Sequence, residues 1–446
     1  MALRAPDRPT AWAVAIAAVG AAAWLIVQPH TADMAAQVFR AEFFSDHGFR
    51  NWNPQWYGGH HLLPYSVLAP AISGTVGVWL AGAIAAVLAA LALARVAVAA
   101  TDDRHKAIVM AILLSLGALA ALWSGRTTYL MGVAAGATCL AALMTGRRWF
   151  VWGPMALLTA ALSPVAAAFL ALCAFARLDR RGITVALLAF TPVAVISKVW
   201  HDGGSQPFSL KVFVPLVMAC VITLLLTASA DRDWRTLRLA VAIYLAASTL
   251  AFLLPTAMGS NAARLGQLTA GAIAALLLLD QRNRLFMLLV TLAVIWQWTA
   301  PIADGIRAHQ DPSSSSAYYS PLLTELGKEN PGKNTVEVVW TRSHWEAAAV
   351  ARHYPIARGW ERQLDAQRNS AINGEQLSPA AYREWLVAKG VTWVALPNAP
   401  IDRAAVGEAK LVRSGLPFLG KVWQSQDWTL YRVLGNPLSH QPQLPR

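Results

Sequence analysis

The residues that could do chemistry concentrate between Asp33 and Pro70, in a polar stretch that interrupts an otherwise apolar sequence. Asp33 is the first acid of this stretch. A partly desolvated carboxylate can accept a proton from a hydroxyl group, so Asp33 is our candidate catalytic residue, as general base. The alternative is that its carboxylate only caps a helix.

Residues 33–47 have the spacing of a helix. This spacing places Asp33 and Arg40 on one side and the Phe39 and Phe43 rings on another. It predicts a helix lying in the membrane interface, with its rings towards lipid and its polar groups away from it. Arg40 and Glu42 are candidate substrate contacts on this helix.

Flat aromatic rings and amides follow in the segment NWNPQWYGGHH, residues 51–61. Aromatic faces combined with amide hydrogen bonds suit sugar rings, so Trp56 and Tyr57 are candidate substrate contacts. The alternative is that they are ordinary interfacial anchors.

His60 and His61 end the same segment. Adjacent histidines without a carboxylate at ligand spacing are a weak signal for a metal, so we expect phosphate contact or simple solvation. The sequence assigns no metal ligand.

Two short loops between apolar runs each carry an arginine, in Ser124–Tyr129 and in Gly259–Arg264. The planar guanidinium groups of Arg126 and Arg264 can grip a phosphate with two hydrogen bonds each, and Asn261 lies beside the second. The alternative is that these arginines extend towards lipid headgroups.

The elements that position these residues are membrane helices. Of the 446 residues, 56% are hydrophobic and 14% charged, with a mean hydropathy of +0.42, which is too apolar for a soluble protein of this size. We predict an α-helical polytopic membrane protein with about 11 membrane helices. Two of these helices are short and meet at Ser163-Pro164, within residues 150–176. The first membrane helix of the chain, near residues 11–29, is a retained signal-anchor. The others lie near residues 11–29, 74–99, 107–124, 129–145, 183–200, 210–229, 238–257, 266–280 and 285–302.

Charge predicts the orientation, because basic clusters favour the cytoplasmic side. The N-terminus should then be cytoplasmic and the C-terminus extracytoplasmic, in a multi-pass protein of the plasma (inner) membrane. The net charge of +13 follows largely from this pattern, and no nucleic-acid motif is present. The clusters are Arg4/Arg8, Arg104/Lys106, Arg147/Arg148, Arg177/Arg180/Arg181, Arg232/Arg235/Arg238 and Arg282/Arg284.

The composition changes after the last apolar run. We predict a transmembrane domain over residues 1–302, a linker over 303–317 containing DPSSSS, and an extracytoplasmic α/β domain over 318–446. Short β-rich runs at 336–340, 391–397, 419–424 and 428–433 alternate there with helical stretches. Four residues could face the membrane and cover the site, or form an ordinary charged surface: His344, Trp345, Arg358 and Trp360.

The first 100 residues resemble the membrane glycosyltransferases of the C superfamily. The resemblance rests on Asp33 directly after the first span, an interfacial helix, and the WNPxWYGG and PYSVLxP segments. Certain actinobacterial multi-span proteins also look similar, including in the SGRxxxLxG and ARGWERQLD segments. The superfamily uses polyprenyl-phosphate sugars, and the resemblance implies that Asp33 is the catalytic base. Met34 stands where a second acid would complete a pair, with Glu42 and Asp46 as substitutes.

The sequence therefore predicts a glycosyltransferase that moves a sugar from a polyprenyl-phosphate donor to an extracytoplasmic hydroxyl of a cell-envelope glycan or lipid. Asp33 should converge with Arg126 and Arg264, in contact with membrane lipids. No cofactor is assigned, and a divalent cation (Mg²⁺ or Mn²⁺) is left open. One alternative is a transporter or flippase of a lipid-linked or anionic cargo, and another is a non-catalytic envelope assembly protein.

Overall fold

The computed structural model describes residues 7–228, 233–281, 284–329 and 334–435. These residues form two compact units. Unit 1 comprises the residues up to Gln28 together with Leu63–Ala303, and unit 2 comprises Pro29–Leu62 together with the residues from Asp304 onwards. Arg4, Arg232 and Arg282 of the basic clusters, and residues 436–446 of the predicted C-terminal domain, lie outside the described residues.

Thirteen helices form the first two-thirds of the described chain. Nine of its apolar helical segments are long enough to cross a membrane, and α7 and α8 are the two shorter ones, which confirms the predicted number of apolar helices. Their insertion into a membrane stays a prediction. The helices are α1 (Arg8–Val27), α2 (Ala32–His47), α3 (Ala69–Val76), α4 (Val78–Ala100), α5 (Arg104–Trp123), α6 (Thr127–Met144), α7 (Trp149–Leu162), α8 (Pro164–Phe175), α9 (Arg180–Val199), α10 (Leu210–Ala228), α11 (Arg235–Leu253), α12 (Ala263–Leu278) and α13 (Arg284–Gln310).

Caps and prolines set the helix boundaries. Ser163 ends α7 and caps α8 by accepting a hydrogen bond from the Ala166 N–H at 3.3 Å, while Pro164 takes the first position of α8. This confirms the predicted break. By contrast, α13 continues to Gln310 rather than ending at residue 302, because good helix formers follow Pro301.

Small residues let the helices of unit 1 approach closely. A Cβ atom at Gly132 of α6 would lie 2.6 Å from the Cβ of Ser163, and one at Gly82 of α4 would lie 2.6 Å from Thr127 Cγ2. Alanines such as Ala86 and Ala90 are fully buried in α4. Close packing through small residues is typical of helices that associate in a membrane.

Unit 2 contains the described β-structure. Its four-stranded sheet has the order β3-β4-β6-β5, in which β3 and β4 are parallel and the other pairs are antiparallel. The buried, apolar strand β4 has neighbours on both edges, as expected for a central strand. The strands are β1 (Trp52–Asn53), β2 (His60–His61), β3 (Thr335–Val338), β4 (Val391–Pro397), β5 (Leu419–Gln424) and β6 (Trp428–Val433).

Helices cover this sheet around a core that includes Trp340, Tyr382, Leu386 and Val394. The predicted alternation of short strands and helices is confirmed, and residues 343–354 contain only one turn of helix, α15. The helices are α14 (Ser320–Glu329), α15 (Glu346–Ala349), α16 (Arg362–Arg368), α17 (Pro379–Ala388) and α18 (Val406–Arg413).

The segment predicted as a linker is ordered, so that interpretation of its serines is wrong. Asp311 caps a 3₁₀ turn over Pro312–Ser314, and its Oδ1 accepts hydrogen bonds from Ser313 N and Oγ at 3.1 and 2.6 Å. Ser313 is fully buried, and its Oγ lies 2.8 Å from Ser343 Oγ. Serine-rich segments usually indicate flexibility, but here hydroxyl partners hold Ser313 in the core, while Ser315 and Ser316 are exposed.

Residues 29–62 fold with the C-terminal region rather than with the transmembrane helices to which the predicted boundaries assigned them. The backbone of Gln55–Tyr57 pairs with Ile356, since Ile356 N donates to Gln55 O at 2.8 Å and Tyr57 N donates to Ile356 O at 3.2 Å. The polar stretch and the C-terminal region therefore share one core.

Candidate functional site

Asp33 lies in the first turn of α2, and its side chain is partly exposed. The helix begins at Ala32, so Thr31 rather than Asp33 occupies the cap position. A carboxylate in the first turn is favoured by the positive end of the helix dipole. The structure thus gives Asp33 a fixed backbone and some access to solvent.

The rest of α2 is held firmly inside unit 2. Arg40 and Glu361 form a buried ion pair between side chains, and the Phe39 ring stacks on Trp56 with centroids 4.3 Å apart. The expectation that the Phe39 and Phe43 rings face lipid is therefore wrong, because both are buried within the protein. Phe39 packs against Trp56, 17 positions later in the sequence, and not against lipid.

Glu42 lies on the outer part of α2, where Arg352 Nη1 approaches its Oε1 at 3.4 Å. Burial raises the pKa of Glu42, while Arg352 acts in the opposite direction. Asp46, the other substitute acid, lies 3.9 Å from Arg352 Nε. These two acids share one cation.

Trp56 and Tyr57 are buried, which contradicts their prediction as a platform for a sugar. Trp56 Nε1 donates to the carbonyl of Ala347 at 3.0 Å. The Tyr57 hydroxyl donates to the Glu361 carbonyl at 3.2 Å and accepts from the Glu361 N–H at 3.0 Å. Burial raises the pKa of Tyr57 well above its usual value. Their rings hold the polar stretch to the C-terminal region instead.

The two histidines differ in exposure. His60 is fully buried, stacks on Trp56 at 5.8 Å and lies 4.0 Å from a Glu361 carboxylate oxygen, so it is no contact for an external phosphate. His61 stays partly exposed beside Trp52. Among the described residues, no group of three or more His, Cys, Asp and Glu side chains is placed to hold a metal. The divalent cation stays a prediction.

Arg126 and Arg264 come together in unit 1, although 137 residues separate them in sequence. Arg126 precedes the first turn of α6, and the Arg264 guanidinium lies over the Tyr129 ring, 5.4 Å from its centroid. Both charges are close enough to interact electrostatically with the Tyr129 hydroxyl. Asn261 belongs to the half-buried 3₁₀ turn directly before α12.

Three buried hydroxyl groups flank Arg126 in the sequence. The hydroxyl groups of Ser124, Thr127 and Tyr129 have no hydrogen-bond partner within the described part of the chain. Buried polar atoms are nearly always satisfied, so such a group indicates a bound ion, ligand or water. The two arginines supply positive charge beside the Tyr129 hydroxyl, where a phosphate oxygen would accept the hydrogen bond of this hydroxyl.

The predicted convergence of Asp33 with Arg126 and Arg264 stays a prediction, since Asp33 belongs to unit 2 and the arginines to unit 1.

Arg358 is a core residue, not part of a surface facing the membrane. Its guanidinium makes two hydrogen bonds to Asp365, at 2.9 and 2.8 Å, contacts Glu408 at 3.2 Å and lies 3.9 Å above the Trp340 ring. Burial would raise the pKa of Asp365, but Arg358 holds it below its usual value. Burial also raises the pKa of Glu337 well above its usual value, with Glu408 adding to the effect. One cation thus stabilises a buried cluster of acids.

His344, Trp345 and Trp360 are likewise packed inside unit 2. The His344 ring stacks on Trp360 at 3.5 Å, and its Nε2 lies 3.1 Å from Asp402 Oδ2. Burial lowers the pKa of His344. Trp345 is buried and donates from Nε1 to the carbonyl of His30 at 3.0 Å. Their prediction as a cover over the site is therefore wrong, because their polar atoms serve the core.

Beside His344, Glu346 is an acid that the sequence did not single out. Its side chain is fully buried, accepts from Thr341 Oγ1 at 2.6 Å and lies 3.4 Å from the Tyr319 hydroxyl. Burial raises the pKa of Glu346 to about 8. Burial therefore favours the protonated, neutral form of Glu346.

An apolar groove of about 560 Å³ lies in unit 1 between α3, α4, α6 and α7. Side chains from Ala81 to Arg95 of α4 line it, which at 1.5 Å per residue is a length of about 21 Å. Arg95 is the one charged residue of the lining. A groove of this kind suits a long hydrocarbon chain.

Sequence reasoning missed Tyr129 and the groove. The hydroxyl-rich segment SGRTTY, residues 124–129, at the start of an apolar run, was the available signal for Tyr129. The groove has no such signal, because its lining residues are ordinary apolar helix residues. In comparisons with known proteins, no family model and no curated protein matches this chain.

Proposed function

We propose that this chain is an integral membrane glycosyltransferase of the plasma membrane. It transfers a sugar from a polyprenyl-phosphate donor to an extracytoplasmic hydroxyl of a cell-envelope acceptor. The nine long apolar helices of the described chain support the membrane location. The charge pattern of the sequence supports an extracytoplasmic C-terminus.

The observation that carries this proposal is the cationic cluster around Tyr129. Arg126 and Arg264 approach this tyrosine, and its buried hydroxyl has no hydrogen-bond partner within the described residues. In the proposed reaction these groups stabilise the charge that grows on the departing phosphate. A buried site strengthens each of these interactions relative to water.

The apolar groove supports a lipid-linked donor. Its lining is almost entirely hydrocarbon, and its length along α4, about 21 Å, is about two-thirds of the thickness of a bilayer core, about 30 Å. A polyprenyl chain lying in this groove would be held by apolar contact alone. A water-soluble sugar nucleotide would make no use of it.

Asp33 is the general base of the proposed reaction and takes the proton of the acceptor hydroxyl as that oxygen attacks the sugar. Its helix is anchored by the Arg40–Glu361 ion pair and the Phe39–Trp56 stack, which gives the carboxylate a fixed position. The four C-terminal candidates, which pack inside unit 2, have no role in this proposal.

The test is sugar transfer by the full chain reconstituted in liposomes, with a polyprenyl phosphate that carries a radiolabelled hexose or pentose. Asp33→Asn should insert normally and lose about 10²- to 10⁴-fold in rate, the usual contribution of a general base. Tyr129→Phe should lose about 10- to 100-fold, because it removes one hydrogen bond to a charged group. Tyr431→Phe, a matched change on β6, should transfer at the wild-type rate. Wild-type transfer by Asp33→Asn would exclude Asp33 as the base.

A lipid flippase is the second candidate, because the same groove could guide a lipid between leaflets. A flippase moves its cargo without forming a covalent product. Transbilayer movement of a fluorescent polyprenyl phosphate, unchanged by Asp33→Asn and with no glycosylated product, would favour this candidate.

A further inference from the structure

A second cavity in unit 1, of about 320 Å³, lies between the end of α6 and the turn from α8 to α9. Among the described residues, its lining carries three arginines, Arg177, Arg180 and Arg181, and a single carboxylate, Asp179. Leu143 and Met144 form an apolar wall. With three positive charges against one negative charge, the cavity favours an anion.

The one carboxylate is occupied by contacts within the protein. Asp179 Oδ1 accepts from the Gly182 N–H at 2.6 Å, and its Oδ2 lies 2.8 Å from Arg177 Nη2. The Arg177 Nε is buried and has no hydrogen-bond partner among the residues that the structure describes. A buried donor without an acceptor is costly, so an acceptor from a ligand would stabilise this arrangement.

Exposed apolar side chains lie close in sequence to the residues that line the cavity. Leu178, between Arg177 and Asp179, is 62% exposed, and Trp149, three positions after Gly146 of the cavity lining, is 69% exposed. Aromatic side chains mixed with cations are typical of the headgroup level of a bilayer. This pattern favours an anion that is attached to a lipid.

We propose that this cavity binds a phosphate group, carried by the headgroup of an anionic phospholipid. Arg180 and Arg181 grip the phosphate oxygens, Arg177 donates from Nε, and Leu143 and Met144 contact the start of the acyl chains. Basic pockets between membrane helices bind acidic lipids in this way. The inference rests on membrane insertion of the helices, but not on glycosyl transfer.

The experiment is native mass spectrometry of the full chain in detergent, titrated with phosphatidylglycerol, phosphatidylcholine or inorganic phosphate. We expect phosphatidylglycerol to bind at least tenfold more tightly than phosphatidylcholine. The Arg180→Gln/Arg181→Gln variant should weaken phosphatidylglycerol binding about tenfold or more, because each arginine near the membrane surface contributes about fivefold. The Arg235→Gln/Arg238→Gln variant removes two arginines from the first turn of α11 and should bind within twofold of wild type.

Three outcomes would overturn the proposal. Equal losses in the two glutamine variants would show a general effect of charge, and equal binding of the two lipids would exclude recognition of the headgroup. Inorganic phosphate binding as tightly as phosphatidylglycerol would make the site one for a soluble anion. If the glutamine variant fails to fold, the Arg180→Lys/Arg181→Lys variant keeps both charges and tests only the paired contacts between guanidinium groups and phosphate oxygens. It should weaken binding by severalfold, since an ammonium group cannot grip two oxygens at once, and unchanged binding would contradict the proposed contact.

Discussion

Arg40 and Glu361 form a buried ion pair that joins positions 321 residues apart in the sequence. Arg40 lies on α2 in the polar stretch, and Glu361 directly precedes α16 in the C-terminal region. Both side chains are more than nine-tenths buried. This pair shows that the first polar stretch and the C-terminal region of the chain fold as one body.

Replacing Arg40 by alanine should loosen α2 from the C-terminal region. Removing one partner of a buried pair leaves an unpaired charge and costs about 3–5 kcal/mol. Hydrogen exchange measured over residues 32–47 and 355–365 should become faster in this variant. The control is Arg352→Ala, which breaks only half-exposed contacts with Glu42 and Asp46 and should cost less than about 1 kcal/mol. Equal exchange in the two variants would contradict the importance of the buried pair.

Gly359→Ala tests the fit between the two parts of unit 2. An added Cβ would lie 2.3 Å from the Trp56 ring, which is fixed by its hydrogen bond and cannot move aside cheaply. Such overpacking costs about 1–3 kcal/mol, and the amides of residues 52–62 should exchange faster. At Gly305, in α13, an added Cβ has open space, so Gly305→Ala should leave this exchange unchanged. A wild-type exchange pattern in Gly359→Ala would mean that the Trp56 contact is looser than the structure indicates.

The buried acid Glu346 should make stability depend on pH. Its pKa is about 8 in the folded protein and near 4.5 when unfolded, so between these values the folded state keeps a proton that the unfolded state loses. Stability therefore falls as pH rises through this range, by up to about 1.4 kcal/mol per pH unit. Glu346→Gln should make this change smaller, measured as the thermal unfolding midpoint at pH 5, 6, 7 and 8, while the buried acids Glu337 and Glu408 keep the remainder.

The control for this titration is Glu384→Gln, which removes an exposed carboxyl group of α17. It should keep the wild-type dependence on pH. If Glu346→Gln also kept it, Glu346 would not be the group that holds the proton.

Arg358→Lys should be severely destabilising even though the substitution keeps the positive charge. A lysine ammonium group cannot make the paired contacts to Asp365 and at the same time reach Glu408 and Asn373. We expect a loss of about 3 kcal/mol or more, since buried acids would be left without their cation. The loss of stability would be measured as the temperature at which the C-terminal region becomes sensitive to protease.

A matched change is available at Arg362, which is one-third exposed and has a 2.7 Å contact with Asp402. A lysine can reproduce this ion pair and can also place its cation near the Trp360 ring, so Arg362→Lys should unfold close to the wild-type temperature. Similar behaviour of the two lysine variants would show that the Arg358 cluster tolerates an ordinary point charge.

The sequence by itself determined the apolar helices, the break at Ser163-Pro164 and the alternation of strands and helices after residue 334. These features depend on local properties: runs of apolar residues, caps and prolines, and β-branched segments. It also brought out Arg126 and Arg264, because a cation in a short loop between apolar helices is conspicuous in the sequence.

Only the tertiary structure decided which polar residues are accessible. Trp56, His60, Arg358 and His344 have the residue types of a binding surface, yet their partners are distant in sequence and turn them into a core. The same holds for Ser313, which is buried against Ser343 although its segment has the composition of a linker. A side chain's type fixes which contacts it can make, whereas long-range packing decides whether a partner residue or a ligand makes them.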